Sequence, residues 1–399
     1  MGDGTAAFDS ISWDELKQRR SAKWRRYPPD VLPSWVAEMD FPLAAPVRQI
    51  LREAVGRDDT GYAWFEGFPE TAAGFLVERL KWAVEPAQIS PLPDVMAGVT
   101  ESLRRLIEPG DGVVINTPVY HLFFSAIPDA RGRVVEVPLA RDGTTYRLDL
   151  DALEAAFAAG ARAYLLCSPH NPTGNVFSEA DLAAVAALAR RYDVAVVADE
   201  IHGPLALAGA TFTPYLSVHP EAGRRAVALT SASKAFNLPG LKCAALVVTD
   251  AETRALIDTI PDEVRYRTGL LGVLASIAAF GEGGPWLDDV LDYLDGNRRL
   301  LADLLAERLP LAGYTPPQAT CLAWIDLSAY DLGPDPVGRL LERGKVALTA
   351  GLEFGGPGEG FVRLNFGTSR ALLTEIVDRM ARAILGRQPI ASPTASSRP

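Results

Sequence analysis

The chain has 399 residues, of which 48% are hydrophobic and 22% carry a charge, and its formal net charge is −11. This length and composition predict an ordinary soluble globular protein of about two domains. The acidic balance excludes a general attraction to nucleic acid or to an anionic membrane surface.

The sequence shows no signal for secretion, for a membrane or for a metal site. Met1–Ser10 carries acids and no apolar core, unlike a secretory signal, and the apolar run Gly269–Phe280 is too short to span a bilayer. Cys167, Cys243 and Cys321 are odd in number and far apart, as expected of reduced thiols in a cytoplasm. The four histidines lack the close spacing of metal ligands. We therefore expect a cytoplasmic enzyme.

The first part of the chain, residues 1–45, is irregular and rich in Pro and Trp. Its aromatic residues predict an ordered N-terminal arm that lies on another surface. Helices are predicted over residues 46–55, 70–82 and 97–107. Between the first two, Gly61–Gly67 is an aromatic loop that contains Tyr62.

Short apolar strands then alternate with helices, which predicts a mostly parallel sheet covered on both faces. The strands are predicted over residues 113–116, 133–137, 163–167, 194–198, 226–229 and 244–248. The intervening helices are predicted over 150–159 and 178–192, the second with Ser178 as N-cap and Asp181 closing a capping box.

The pattern changes after residues 283–285, and a smaller α/β unit is predicted to follow. Its helices are predicted over 286–309, 336–343 and 369–385, and its strands over 321–327, 346–350 and 361–366. We expect residues 1–45 to form an arm belonging to the small domain, 46–284 the large domain, 285–387 the small C-terminal domain, and 388–399 a disordered tail.

The stretch Thr230–Lys242 carries the first chemical signal, because Lys234 follows an apolar strand and stands beside Ser231 and Ser233. Desolvation of a lysine favours its neutral amine, which is a nucleophile and forms Schiff bases. The serine hydroxyls and a second cation, Lys242, suit a phosphate. This predicts a lysine that holds an aldehyde cofactor carrying a phosphate.

Three more polar side chains follow other predicted strands: Tyr120, Asn171 and Asp199. Each alone has an ordinary structural interpretation, such as a turn or a cap. Functional loops of a parallel sheet lie beyond the carboxyl ends of its strands, so we expect these residues and Lys234 to meet at one edge.

This ordered set resembles the fold-type I pyridoxal-phosphate (PLP) enzymes of the class I/II aminotransferase superfamily, over about residues 20–385. The resemblance implies that Lys234 binds the cofactor and acts as the general base. It implies that Asp199 faces the pyridine nitrogen, that Asn171 bonds the phenolic oxygen, and that Tyr120 stacks on the ring and takes part in catalysis.

The same resemblance implies the remaining contacts. The other cofactor-binding residues would be Gly98, Val99, Thr100, His202, Ser231, Ser233, Lys242 and Tyr62. Gly98–Thr100 is expected to open a helix whose free N–H groups bind the phosphate, and Tyr62 to reach the site of a neighbouring subunit in a homodimer. The substrate-binding residues would be Arg363, whose fork binds a carboxylate, with Ala37 and Asn171.

A narrower resemblance is to the cystathionine β-lyase branch of the MalY/PatB type, carried by residues 35–41, the Tyr62 loop and residues 199–202. Four positions depart from or qualify the pattern: Glu38, Asn175, Ile201 and Pro204. The resemblance implies a C–S lyase that releases pyruvate, ammonia and a thiol from cystathionine or related cysteine S-conjugates. An aminotransferase and a non-catalytic regulator that kept the fold stay open as alternatives.

Overall fold

The computed structural model describes residues 7–386, so the predicted disordered tail 388–399 lies outside the described residues. The α-helices are Trp13–Leu16, Ala22–Arg25, Ala45–Gly56, Phe68–Leu80, Val95–Leu106, Phe123–Asp129, Leu150–Ala158, Glu179–Arg191, Ala232–Ala235, Ala251–Ile257, Asp262–Arg265, Leu270–Glu282, Gly284–Arg308, Pro336–Arg339 and Arg370–Leu385. A π-helix, Leu340–Gly344, continues from Pro336–Arg339, so the helix predicted over residues 336–343 is present.

The strands of the described chain fall into a large sheet, a smaller one and two short pairs. They are β1 (Leu32–Pro33), β2 (Ile89–Leu92), β3 (Gly112–Ile115), β4 (Arg133–Glu136), β5 (Ala140–Asp142), β6 (Thr145–Arg147), β7 (Ala163–Cys167), β8 (Ala195–Asp199), β9 (Ala226–Thr230), β10 (Ala244–Val247), β11 (Gly313–Tyr314), β12 (Leu322–Asp326), β13 (Val346–Ala347), β14 (Thr349–Ala350) and β15 (Phe361–Asn365).

The large sheet confirms the predicted parallel core. Its strand order is β2-β10-β9-β8-β7-β3-β4, in which β9, β8, β7, β3 and β4 run parallel and β10 is antiparallel to both of its neighbours. Neighbouring residues of β8 belong to opposite cores, since Val196 and Val197 pack in different hydrophobic clusters. Both faces are therefore buried, as the continuous apolar strands require.

Strand β2 was not predicted, because Pro91 interrupts a run of only four residues. A proline donates no ladder hydrogen bond and is tolerated at a sheet edge, which is where β2 lies. The Ser178 capping box is present as predicted, with Asp181 at the reciprocal position. Cys167, Cys243 and Cys321 are buried free thiols.

The N-terminal arm packs on the C-terminal sheet, whose order is β11-β12-β15-β14. Strand β1 pairs with β13, and the Ser34 hydroxyl donates to the Asn365 carbonyl at 2.6 Å. The strand predicted over residues 346–350 is in fact two, because Ala347 pairs with the arm whereas Thr349 pairs with β15. The division into two domains at residue 284 stays a prediction.

Among residues 7–386, no single helix has the length and apolar character to cross a bilayer. Leu270–Glu282 and Gly284–Arg308 meet that requirement only when they are taken together as a pair bent by 80°.

Candidate active site

A cavity of about 460 Å³ lies beyond the carboxyl ends of β3, β7, β8 and β9. It brings together residues from all four strand ends: Tyr120, Asn171, Asp199 and Lys234. Its opposite wall comes from the N-terminal arm and the C-terminal sheet and includes Ala37 and Arg363. Residues as far apart in the sequence as Arg26 and Arg363 therefore share one site.

Lys234 lies on the short helix that follows β9, and its Nζ donates to the Ala37 carbonyl at 2.8 Å. Burial lowers the pKa of its amine, an effect that the positive charge of Arg363 adds to and that Asp199 partly opposes. A lysine with a lowered pKa is more easily freed of its proton, which favours nucleophilic attack and base chemistry.

Asp199 is the last residue of β8 and is buried, with its Oδ1 accepting from the Ile201 N–H at 3.2 Å. Burial raises the pKa of its carboxyl to about 6, and the neighbouring Lys234 only partly offsets this shift. A buried carboxylate of this kind is stabilised by a cationic N–H partner placed against it.

Arg363 faces the strand ends from β15 and is held by three contacts. Its η nitrogens donate to Asn171 Oδ1 at 3.1 Å, to the Trp35 carbonyl at 2.8 Å and to Thr349 Oγ1 at 3.3 Å. Burial lowers the pKa of its guanidinium to about 10, so it is still positively charged at neutral pH. A fixed guanidinium in a cavity is suited to a substrate carboxylate.

Tyr120 lines the cavity directly after β3. Burial first, and then the charge of Asp199, raise the pKa of its hydroxyl to about 12. The ring is therefore neutral at ordinary pH, as an aromatic wall or a proton donor requires.

The prediction that Gly98–Thr100 opens a helix is wrong about where that helix begins. That helix begins at Val95, with Asp94 as N-cap, and the Gly98 N–H already bonds to the Asp94 carbonyl. Gly98 instead allows close packing, because a Cβ there would lie 2.4 Å from Leu229. The cavity is lined by the first helical residues, Val95 and Met96. The helix N-terminus lies at the cavity but precedes the predicted residues, and the Asp94 carboxylate already accepts from the Ala97 N–H.

The two serines beside Lys234 have different surroundings. Ser233 lines the cavity, as does Lys242, which contacts Asp94 at 3.1 Å. Ser231 is buried outside the lining; its hydroxyl donates to the Cys243 carbonyl at 2.6 Å and accepts from the Ser233 N–H. Ser231 therefore caps the helix of Lys234, and the structure gives it no direct cavity contact.

Tyr62 does not line the cavity of its own chain. Its side chain is 88% exposed, and its ring contacts the edge of Tyr266 with centroids 6.3 Å apart. Because Trp64 on the same loop is 76% exposed, this loop presents two large aromatic rings to solvent in the single chain.

Two histidines in the cavity wall keep a buried Nδ1 with no partner among the described residues. For His202, burial lowers the pKa to about 3, which leaves the ring neutral. For His121 the pKa is also lowered, first by burial and then by Arg363. Unpaired buried nitrogens are costly to a folded protein, and both rings stay neutral in the cavity wall.

Several lining residues were not predicted. They are Arg26, Tyr27, Asp94, Val95, Met96, His121, Thr349 and Glu353. The residues at the helix start could have been found, because Asp94 followed by an apolar residue is a recognisable N-cap signal. The arm residues give no such signal, because only long-range pairing brings them to the cavity.

The residues present fit PLP. Asp199 is a buried carboxylate suited to a pyridinium, Lys234 is an amine suited to an aldehyde, and the helix beginning at Val95 offers N–H groups and Lys242 a charge for a phosphate.

Comparison with known proteins agrees with this chemistry. The profile of the family "Aminotransferase class I and II" matches residues 58–380. A Mycobacterium leprae protein provisionally named cystathionine beta-lyase is 44% identical, covering 95% of this chain and 98% of the relative. Cystathionine beta-lyase PatB of Bacillus subtilis is 33% identical, covering 94% and 96%. A Corynebacterium diphtheriae structure, provisionally a PLP-dependent beta-cystathionase, matches with a TM-score of 0.90 at 35% identity, covering 94% and 98%.

Proposed function

We propose that this chain, which belongs to the aminotransferase class I and II family, is a PLP-dependent C–S lyase acting on cystathionine or related L-cysteine S-conjugates. One observation carries the proposal: Asp199 ends β8, Lys234 lies just beyond the end of the neighbouring β9, and both face Arg363 across one cavity. The two relatives and the structure reported above are named for this reaction, and this likeness supports the proposal.

Each residue has a role that follows from its surroundings. Arg363 binds the substrate α-carboxylate through its fork, because its guanidinium stays charged and is held in place by Asn171 and Trp35. Bound PLP supplies an electron sink for the α-carbon. Asp199 provides the negative charge that keeps a pyridine nitrogen protonated.

Lys234 accepts the α-proton at its Nζ, since burial already favours the neutral amine. Removal of this proton allows the β-carbon–sulfur bond to break, and the sulfur leaves as a thiolate. With cystathionine and one water, the products are homocysteine, pyruvate and ammonia, so the reaction needs no oxidant and no keto acid. Tyr120, whose hydroxyl stays protonated, forms the wall beside the reacting atoms.

The proposal is tested with purified protein, PLP and cystathionine in buffer free of keto acids. We expect pyruvate and thiol to appear in equal amounts, and neither to appear with Lys234→Ala. A wild-type protein that binds PLP but releases neither product would overturn the lyase assignment. A protein without the visible absorbance of lysine-bound cofactor, unchanged by Lys234→Ala, would instead favour a regulator.

We also propose a cytoplasmic homodimer in which Tyr62 contributes to the neighbouring site. The exposure of Tyr62 and Trp64 supports a contact with a second copy, because large rings exposed together often mark interfaces. Three buried free thiols, Cys167, Cys243 and Cys321, suit a reducing compartment. Sedimentation at enzyme concentrations used for assays tests the dimer; a monomer that retains full activity would contradict it.

A further inference from the structure

We infer that Arg26 binds a carboxylate on the departing thiol half of the substrate, so that the enzyme prefers cysteine S-conjugates with an anionic leaving group. This inference deepens the proposed lyase function and rests on it. The inference specifies the chemical class of the thiol that leaves, because the proton transfer at Lys234 does not depend on that thiol.

Arg26 lines the same cavity as Lys234 and Arg363. It follows the short arm helix Ala22–Arg25, and its side chain is exposed at the cavity rim. Its guanidinium lies over the Trp35 ring, 5.0 Å from the centroid, and 5.9 Å from that of Tyr27. These two rings stand nearly perpendicular to each other, at 82°. Cation–π contacts therefore hold this charge at the rim without neutralising it.

The cavity has four lysine and arginine side chains, and three of them already have partners or roles. Lys242 pairs with Asp94 at 3.1 Å, Lys234 donates to the Ala37 carbonyl, and Arg363 is held by Asn171, Trp35 and Thr349. Within residues 7–386, Arg26 makes no ion pair and no hydrogen bond through its guanidinium. Its five donors are therefore available to a ligand.

Trp35 connects Arg26 to the substrate site. Its carbonyl accepts from Arg363, whereas its ring carries the guanidinium of Arg26. The two arginines thus contact opposite parts of one residue and face one cavity. A substrate with its α-carboxylate on Arg363 and a second carboxylate at the far end of its side chain could engage both charges.

The cavity is also lined by the carboxylate of Glu353, whose charge raises the pKa of both His121 and Arg363. The structure gives no hydrogen bond or ion pair between Glu353 and Arg26. A carboxylate at Arg26 is therefore attracted by an uncompensated charge.

A pair of substrates that differ only at the far end tests the inference. S-(3-carboxypropyl)-L-cysteine and S-butyl-L-cysteine carry a carboxylate and a methyl group at the same position. For wild type we expect a higher kcat/KM on the carboxylate substrate. Arg26→Met keeps an unbranched stem and removes the charge. We expect it to lower that preference about five-fold, which is the size of one exposed ionic contact. The loss should lie in KM, with kcat nearly unchanged.

Arg25→Met is the matched control. Arg25 is the preceding residue, it does not line the cavity, and it donates to the Gln18 carbonyl. We expect this variant to keep the wild-type preference.

A binding measurement separates this inference from catalysis. L-2-Aminosuberate and L-2-aminooctanoate have no leaving group and differ only in the terminal carboxylate. Arg26→Met should weaken binding of the first, measured by calorimetry, and leave the second unchanged. Equal losses for both ligands, or no loss for either, would overturn the role of Arg26 while leaving the lyase reaction intact. Absence of product from both cysteine conjugates with wild type would instead refute the proposed function.

Discussion

The two walls of the cavity differ in how the chain builds them. The strand-end wall consists of Tyr120, Asn171, Asp199 and Lys234. The arm wall consists of Arg26, Trp35, Ala37, Thr349 and Arg363. In the strand-end wall each residue follows its own strand of one parallel sheet. In the arm wall two distant segments must first pair, as shown by the Arg363–Trp35 hydrogen bond across 328 positions.

This difference in construction matches a difference in task. The strand-end wall contains the titratable groups with shifted pKa values that the chemistry uses, Lys234 and Asp199. The arm wall contributes two guanidinium groups, at Arg26 and Arg363, that are suited to binding carboxylates. We therefore expect changes in the first wall to abolish the reaction. Changes in the second wall should weaken substrate binding, at Arg363 for every substrate and at Arg26 for substrates with an anionic leaving group.

The largest effect is expected for Lys234→Ala. Loss of the proton acceptor should lower kcat by about a thousand-fold or more, because general-base catalysis contributes on this scale. Pyruvate release and the visible absorbance of the cofactor measure the change. A variant that keeps a tenth of wild-type kcat would remove Lys234 from its assigned role.

Arg363→Lys tests the arm wall and should have a smaller effect, about ten- to hundred-fold in kcat/KM, since a lysine cannot copy a two-bond fork. The loss should be mainly in KM. The effect should be similar for cystathionine and S-methyl-L-cysteine, because both carry the α-carboxylate. A change confined to one substrate would move Arg363 from the α-carboxylate to the leaving group.

The raised pKa of Asp199 predicts that the affinity for PLP depends on pH. Its pKa is raised to about 6, so the carboxylate is present above that pH and is lost as pH falls through it. Because a protonated pyridine prefers the carboxylate, PLP affinity of the cofactor-free protein should fall by up to about ten-fold per pH unit below 6. Asp199→Asn should remove this component and leave the titration of the cofactor phosphate. Equal pH profiles of PLP affinity for wild type and Asp199→Asn, measured by fluorescence titration, would contradict this role of Asp199.

Tyr62→Phe should weaken cofactor retention by a few-fold if the hydroxyl reaches a neighbouring site. Tyr266→Phe, which changes the ring that Tyr62 contacts, is the control and should have no effect. PLP loss during dialysis is the readout. Unchanged retention in Tyr62→Phe would refute the contribution of Tyr62.

The smallest effect concerns Glu200, which follows Asp199 but lies outside the cavity lining and accepts from the Tyr215 N–H at 2.6 Å. Burial raises the pKa of its carboxyl to about 8, from an ordinary 4.5. The stability from its bound proton is fully present below 4.5 and is lost as pH rises through 8. Glu200→Gln should therefore be more stable than wild type at pH 8 by about 1 kcal/mol or more, and the difference should vanish near pH 4. A constant difference at every pH would contradict this.

The sequence predicted the strand-end wall better than the arm wall, for a physical reason. Apolar runs such as those of β7 and β8 determine where a strand ends, so the residues after them are located locally. The glycine at position 98 predicts a helix start at residue 97, whereas the helix begins at Val95 and Gly98 is needed for packing on Leu229. Arg26 could not be found, because its position depends on the pairing of β1 with β13.

The most direct test measures how cystathionine is partitioned when an amino-group acceptor is offered. Purified protein is incubated with cystathionine, with and without 2-oxoglutarate, and thiol, pyruvate, ammonia and glutamate are quantified. The lyase assignment predicts one pyruvate, one ammonia and one thiol per cystathionine consumed, unchanged by 2-oxoglutarate. Accumulation of glutamate in place of pyruvate and thiol, with no turnover when the acceptor is omitted, would contradict it and identify an aminotransferase.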